Sequence, residues 1–144
     1  MVRIAENKDV DLLSSMATNL FAGSKKEDLY KEFTGFLDDE DVCLLVKEVE
    51  GKIVGFAQVG LRRDYVEGCE SSPVGYLEGI YIKEDFRNKG FARELLKIAE
   101  VWAKEKGCKE FASDCELKNA ESLAFHLSVG FKEQNRIICF KKNI

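Results

Sequence analysis

The chain has 144 residues, with 22 basic and 26 acidic side chains, one histidine and a formal net charge of −4. That length fits one domain that buries a core without staples, and the acidic balance argues against nucleic acid or an anionic membrane surface as the main partner. Five cysteines (Cys43, Cys69, Cys108, Cys115 and Cys139) form no CxxC pair, so neither a metal site nor a disulfide framework is expected and a reducing cytoplasm fits.

Val2 to Ala5 reads as a short first strand. It lies in a stretch, Met1 to Asp11, that alternates charged and apolar residues and lacks the apolar core of a signal peptide; no later run reaches membrane-spanning length. Asn7 or Asp9 caps a helix to about Phe21, with Leu12, Leu13, Met16 and Leu20 on one face. Ser24-Lys25-Lys26-Glu27 is a capping box, opening a second helix with Leu29, Phe33, Phe36 and Leu37 inward. Val42 to Val49 and Lys52 to Leu61 are β-rich runs around Glu50-Gly51, a hairpin signal. Arg62 to Pro73 is a polar, turn-rich loop, and Val74 to Ile82 is the next strand. Phe91 to Lys106 is the clearest helix: Phe91, Leu95, Ile98, Ala99 and Trp102 recur at helical spacing, and Gly107 takes the C′ position. Glu110 to Ser113 is a short strand, Asn119 to Val129 a helix stopped by Gly130, and Phe131 with Arg136 to Lys141 supplies the last strands. The order β-α-α-β-β-β-α-β-α-β predicts an α/β (α+β) domain over residues 1–144, its sheet mostly antiparallel with parallel pairing in the second half.

Arg87-Asn88-Lys89-Gly90-Phe91-Ala92 sits between a strand and the strongest helix. A backbone that wraps a pyrophosphate needs consecutive free N–H groups and close approach, which glycine permits. The following helix points its positive end at the same anion, worth about 0.3–1 kcal/mol when exposed. Arg87 and Lys89 add cationic donors and Phe91 faces the core. Taken alone, the pattern also describes a basic turn with a helix-start glycine.

In its position after Leu77-Glu78-Gly79-Ile80-Tyr81-Ile82, this turn resembles motif A of the GNAT acetyltransferases, and Val129-Gly130-Phe131 resembles their motif B. Together the motifs span residues 74 to 131. The resemblance implies the GNAT fold: a mixed, mostly antiparallel sheet of about seven strands, with splayed fourth and fifth strands, flanked by four helices. It implies that Arg87 to Ala92 binds the pyrophosphate of acetyl-CoA, the co-substrate. The strand segment Ile80-Tyr81-Ile82 pairs through its backbone with the pantetheine arm, and Asn119 reaches the same arm. Gly79 in mid-strand fits a bulge or a close backbone approach.

The long loop from Arg63 to Pro73, followed by Leu77-Glu78-Gly79-Ile80, is similar to the aminoglycoside 6′-N-acetyltransferases, as are Ala112-Ser113-Asp114 and Gly130-Phe131-Lys132-Glu133. Aminoglycosides are sugars bearing several ammonium groups, so their site needs carboxylates and an aromatic face. Glu78 and Asp114 lie on the two strands expected to splay; Tyr65 and Glu70 lie on the loop expected to cover the site. Asp38 to Asp41 form an acidic run in a region that borders the acceptor site in this fold. The subgroup usually carries Trp-Pro after its first helix; here Phe21-Ala22 stands in that place, keeping a stacking face without the indole N–H. Each residue also has a plain structural role open to it: Asp38 to Asp41 as a solvated helix end, Tyr65 as loop packing, Glu78 as a salt bridge, Asp114 as a cap.

No Ser-His-Asp or Cys-His arrangement appears, so direct attack of the amine on the thioester is expected. Glu78 is the first candidate for proton removal and Asp114 the second, while Cys115 reads as packing. His126 occupies the place where many members of the resembled family carry a tyrosine that protonates the leaving thiolate. Other amines, such as a polyamine or a protein N-terminus, suit an acidic cleft as well, and a CoA-binding module without turnover is the alternative from outside the enzymes. The resemblance also implies a homodimer with C-terminal strands near the partner's site, although Ile137, Ile138 and Phe140 equally suit the monomer's own core.

Overall fold

The computed structural model describes residues Met1–Ile144. Five strands form one sheet in the order β1 (Val2–Ile4), β2 (Val42–Val49), β3 (Lys52–Arg62), β4 (Val74–Ile82) and β5 (Phe111–Ser113). All neighbours are antiparallel except β4 and β5, which run parallel and are joined by helix α3 (Phe91–Glu105). Helices α1 (Val10–Ala17) and α2 (Lys26–Phe36) intervene between β1 and β2, and α4 (Ala120–Ser128) follows β5.

Both faces of the sheet are covered, which explains the unbroken apolar run of β2. Leu44 and Val46 face Leu13, Met16, Leu29 and Phe33 of α1 and α2; Cys43 and Leu45, one residue out of step, join Leu95, Leu96 and Ala99 of α3. Glu50 (φ 51°) and Gly51 (φ 75°) make the two-residue turn between β2 and β3, with positive φ at both positions as a type I′ hairpin requires.

Helix α1 is shorter than the periodicity predicts and is preceded by a 3-10 turn at Asn7–Asp9. Its buried face is Val10, Leu13, Met16 and Ala17, and Leu12 is exposed. The expected capping box at Ser24 does not form. Ser24 donates its N–H to Phe21 in the turn leaving α1, Lys25 is extended, and the helix starts at Lys26, one residue too late for the Ser24–Glu27 geometry. On α3, Ile98 faces solvent, and the seam is Leu95, Leu96, Ala99 and Ala103.

The largest departure is at the C-terminus. Arg136 to Lys141 is not a strand, nor is Phe131, so the sheet has five strands rather than about seven. Phe131 packs on Phe111 and His126, after which the chain runs exposed beside the loop that follows β3. A strand needs a ladder neighbour for its backbone groups. Here the tail meets only loop residues: the Asn135 side-chain amide donates to Glu67 at 2.9 Å, and Gln134 lies against Gly68.

Candidate active site

The parallel pairing of β4 and β5 is short: Gly75 with Phe111, Tyr76 with Ala112, Leu77 with Ser113. Beyond Leu77, β4 keeps only β3 as a neighbour, and its residues change from buried (Val74 to Leu77) to half-buried (Glu78 to Tyr81). The pairing stops there because β5 ends at Ser113. The parting coincides with a bulge. Gln58 of β3 pairs with Gly79 and Val59 with Leu77, leaving Glu78 as the extra residue.

Lys83 donates its N–H to Val54 of β3, so strand alternation turns the backbone groups of Ile80 and Ile82 away from β3 and into the gap. Tyr81 is oppositely placed, its backbone toward β3 and its ring beside Phe56. The Ile82 carbonyl accepts a bond from Arg87 Nε at 2.8 Å. The Arg87 guanidinium thus folds back over the strand end, beside the Tyr81 ring.

The turn entering α3 has the form an anion cradle needs. Asn88 (φ 61°) and Gly90 (φ 82°) are both left-handed, and no side chain caps the helix. Its first-turn N–H groups are therefore free for an anion. Arg87, Asn88, Lys89 and Gly90 are exposed, Ala92 is half-buried, and Phe91 packs toward α3's core seam under the buried ammonium of Lys47, 4.5 Å from its ring. Lys47 in turn is ion-paired to Glu94 in the first turn of α3.

At the other end of the gap, Glu78 and Asp114 belong to one chain of contacts. Arg62 clamps Glu78, donating from Nε and Nη2 to Oε1 (3.0 and 2.8 Å) and from Nη2 to Oε2 (2.9 Å). The same guanidinium carbon lies 3.4 Å above the ring of Tyr76. The Tyr76 hydroxyl donates to Asp114. Burial, and then the Asp114 carboxylate that accepts its proton, push the Tyr76 phenol well above its ordinary range. Phe21 borders this ground: a Cβ on Gly79 would stand 2.8 Å from its ring edge and 2.7 Å from Leu20, so the glycine lets the segment after α1 lie on β4.

His126 points at the end of β5. Its Nδ1 lies 2.6 Å from the Ser122 carbonyl, which only accepts, so Nδ1 carries a proton. Its Nε2 lies 2.8 Å from the Ser113 hydroxyl, which is 3.1 Å from the Leu77 carbonyl at the last rung before the strands part. Both ring nitrogens are thus engaged within the chain.

Neither Tyr65 nor Glu70 hydrogen-bonds to these carboxylates. Tyr65 is 79% exposed with its hydroxyl 3.4 Å from Glu67. Glu70 is held through its backbone N–H by the Glu110 carboxylate, which also takes the Ser71 N–H and hydroxyl and is lowered from its ordinary pKa by those bonds. Asp41 of the acidic run is ion-paired to Arg63 and so ties down the start of the same loop. Asn119 caps α4, its side chain accepting from the Ser122 N–H at 3.0 Å.

Arg62, Tyr76, Ser113 and Glu110 were not legible as site residues in the sequence. Arg62 closes a strand, Tyr76 alternates with core residues, and Ser113 only adjoins Asp114. Glu110 is one charge in a Lys-Glu pair before a strand, and none of these local patterns reports a contact that crosses the fold. A cleft of about 540 Å³ elsewhere on the surface is lined by Arg3, Asp9 and Glu48, with Arg3 ion-paired to both carboxylates.

The parted strands thus lie between an uncapped, glycine-led helix start and the Glu78–Arg62–Tyr76–Asp114 contacts. Residues 10–131 match the acetyltransferase (GNAT) family, and the chain belongs to it. Among characterised relatives, it is 37% identical to an aminoglycoside N(6′)-acetyltransferase type 1 of Serratia marcescens, covering all of this chain and 99% of that one. It is 35% identical to the Klebsiella aerogenes enzyme of the same name, covering 99% and 95%. Among solved structures, aminoglycoside N-acetyltransferase AAC(6′)-Iy in complex with CoA superposes with a TM-score of 0.96 at 30% identity, over 100% of this chain and 95% of that one. The same enzyme with a bisubstrate analogue, CoA-S-monomethyl-acetylneamine, superposes at 0.95 over 100% and 98%, again at 30% identity.

Proposed function

We propose that this protein transfers the acetyl group of acetyl-CoA directly to the 6′-amino group of aminoglycosides, a modification that confers resistance to these antibiotics. The observation that carries it is the pairing of Glu78 and Asp114 through Arg62 and Tyr76 at the place where β4 and β5 separate. A polyammonium acceptor needs such an acidic mouth, and the enzymes named above supply the substrate class.

In this mechanism the Arg87 to Ala92 turn holds the pyrophosphate, and the pantetheine arm runs along the free edge at Ile80 and Ile82. Arg87 leaves the Ile82 carbonyl when it turns to the phosphates. Carboxylates near the amine bind its ammonium form and raise its pKa, yet attack needs the free base. Glu78 therefore accepts the proton, through a water, with Asp114 as second acceptor. The new C–N bond forms as the C–S bond breaks, and the Ile80 N–H polarises the thioester carbonyl; one such donor is worth about 3–4 kcal/mol in known oxyanion holes. The leaving thiolate takes the Ser113 hydroxyl proton, and the imidazolium form of His126, protonated at both nitrogens, replaces it from Nε2. Phe21 offers the sugar a face. Tyr65 and Glu70 lie on the loop that would cover the acceptor.

The exposed Ile137, Ile138 and Phe140 (66%, 81% and 90% exposed) support a homodimer in which a second copy covers the tail; sedimentation as a monomer would remove that element. Incubation with acetyl-CoA and kanamycin or tobramycin, with the product nitrogen located by NMR, tests the activity. Thiol release with the 6′ nitrogen acetylated is the expected result, and acetylation at another nitrogen, or none, overturns it.

A further inference from the structure

The geometry points to Arg62 as a resident cation that holds the place of the acceptor's ammonium on Glu78 and sets how much positive charge the site accepts. This rests on the acceptor reading above. Arg62 uses both Glu78 oxygens through three donor contacts. Through its stack on Tyr76 it also bears on the residue that holds Asp114. One cation thus binds Glu78 directly and bears on Asp114 only through Tyr76. Its Nη1 donates to no protein group, and its side chain is 43% exposed, so it is anchored by the two contacts rather than buried.

The charges close to one another are Glu78, Asp114 and Arg62, with the neutral Tyr76 between them. Two negative groups and one permanent positive group leave a net charge of −1, which one ammonium neutralises. A carboxylate has about four acceptor positions, and Arg62 takes three on Glu78. An incoming ammonium must share that carboxylate or displace the guanidinium. Arg62 is therefore a specificity-determining residue: it tempers the attraction of the mouth for polycations, so that binding of the ammonium does not outrun release of the free amine. A purely structural Arg62 makes the opposite prediction, because its loss would free Glu78 to swing away and weaken binding.

Full-length wild type, Arg62→Met and Arg62→Lys are compared by calorimetry, with CoA present, for tobramycin and for spermidine at low and moderate salt. Arg62→Met is expected to bind both cations about two- to fivefold more tightly at low salt, the range for a partly exposed charge pair. Its affinity should fall more steeply with salt. Arg62→Lys keeps the charge and should return both readouts to wild type. Unchanged or weaker binding by Arg62→Met overturns the assignment, as does failure of either cation to bind any of the three proteins. Acetyl transfer by the wild type is scored separately, so an inactive wild type whose Met variant binds cations more tightly removes the proposed substrate and leaves Arg62's role standing.

Discussion

Replacing Glu94 with alanine separates two explanations of the buried lysine beneath the carrier turn. Lys47 is 5% exposed, ion-paired to Glu94 and set over the Phe91 ring, with the amino terminus of Met1 close by as a second cation. The Glu94 carboxylate is the main reason the Lys47 ammonium is held above its ordinary value. In Glu94→Ala the ammonium keeps only the ring. Leaving a charged donor short of its partner costs about 1.5–3 kcal/mol when fully buried. Glu94 is itself half-exposed, so water refills part of its place and about 1–2 kcal/mol is the expected loss. For a chain of this size that lowers Tm by roughly 2–8 °C, read by calorimetry. Lys47→Met removes the charge together with the need for its partner and should cost less than Glu94→Ala. Glu94 also lies in the first turn of α3, so its loss removes a negative charge near the proposed pyrophosphate site and should not weaken CoA binding, whereas Lys47→Met removes a positive charge and should weaken it modestly. A Lys47→Met variant less stable than Glu94→Ala would refute the idea that Glu94 is there to compensate a buried cation.

Three further outcomes follow from particular contacts. Gly90→Ala meets no atom within 4 Å, so its whole cost is the left-handed backbone at φ 82°: about 1–2 kcal/mol, divided between folding and CoA affinity, and no loss in either means the turn does not need that conformation. Gly79→Ala drives a methyl into Leu20 and the Phe21 ring and should raise KM for the aminoglycoside while leaving KM for acetyl-CoA unchanged; a matched rise in both would place the effect elsewhere. The Asp9 carboxyl is held below its ordinary 3.8 by the Arg3 guanidinium. Its stabilisation is therefore complete above about pH 4 and is lost as pH falls through the depressed native value, so Asp9→Asn should flatten the acid limb of a Tm-against-pH curve.

The sequence made the central elements legible because their local signals agree with their tertiary roles. Val74–Ile82 is a strand within the bounds its apolar run predicts, and Gly90 and Gly107 bracket α3 where helix chemistry puts them. The failures share a physical cause. The tail from Arg136 to Lys141 has strand composition, but a strand exists only against a neighbour, and composition carries no information about which edge is free. The capping box at Ser24 is a pattern of spacing alone, and the turn that hands the chain from α1 to α2 claims its N–H first. Arg62 and Tyr76 act across strands, where pairing register rather than neighbouring sequence brings them together.

The odd residue in β4 uncouples chemistry from scaffold. Leu77 and Ile80 serve the α3 side of the sheet while Gly79 and Tyr81 serve the other, so the two-residue rhythm skips a beat at Glu78. Position 78 thus owes nothing to core packing and has no rung of its own opposite β3. Its side chain can be changed, as to Gln or Ser, without asking the sheet to re-register, so the proposed proton acceptor can be removed while the scaffold around it stays intact.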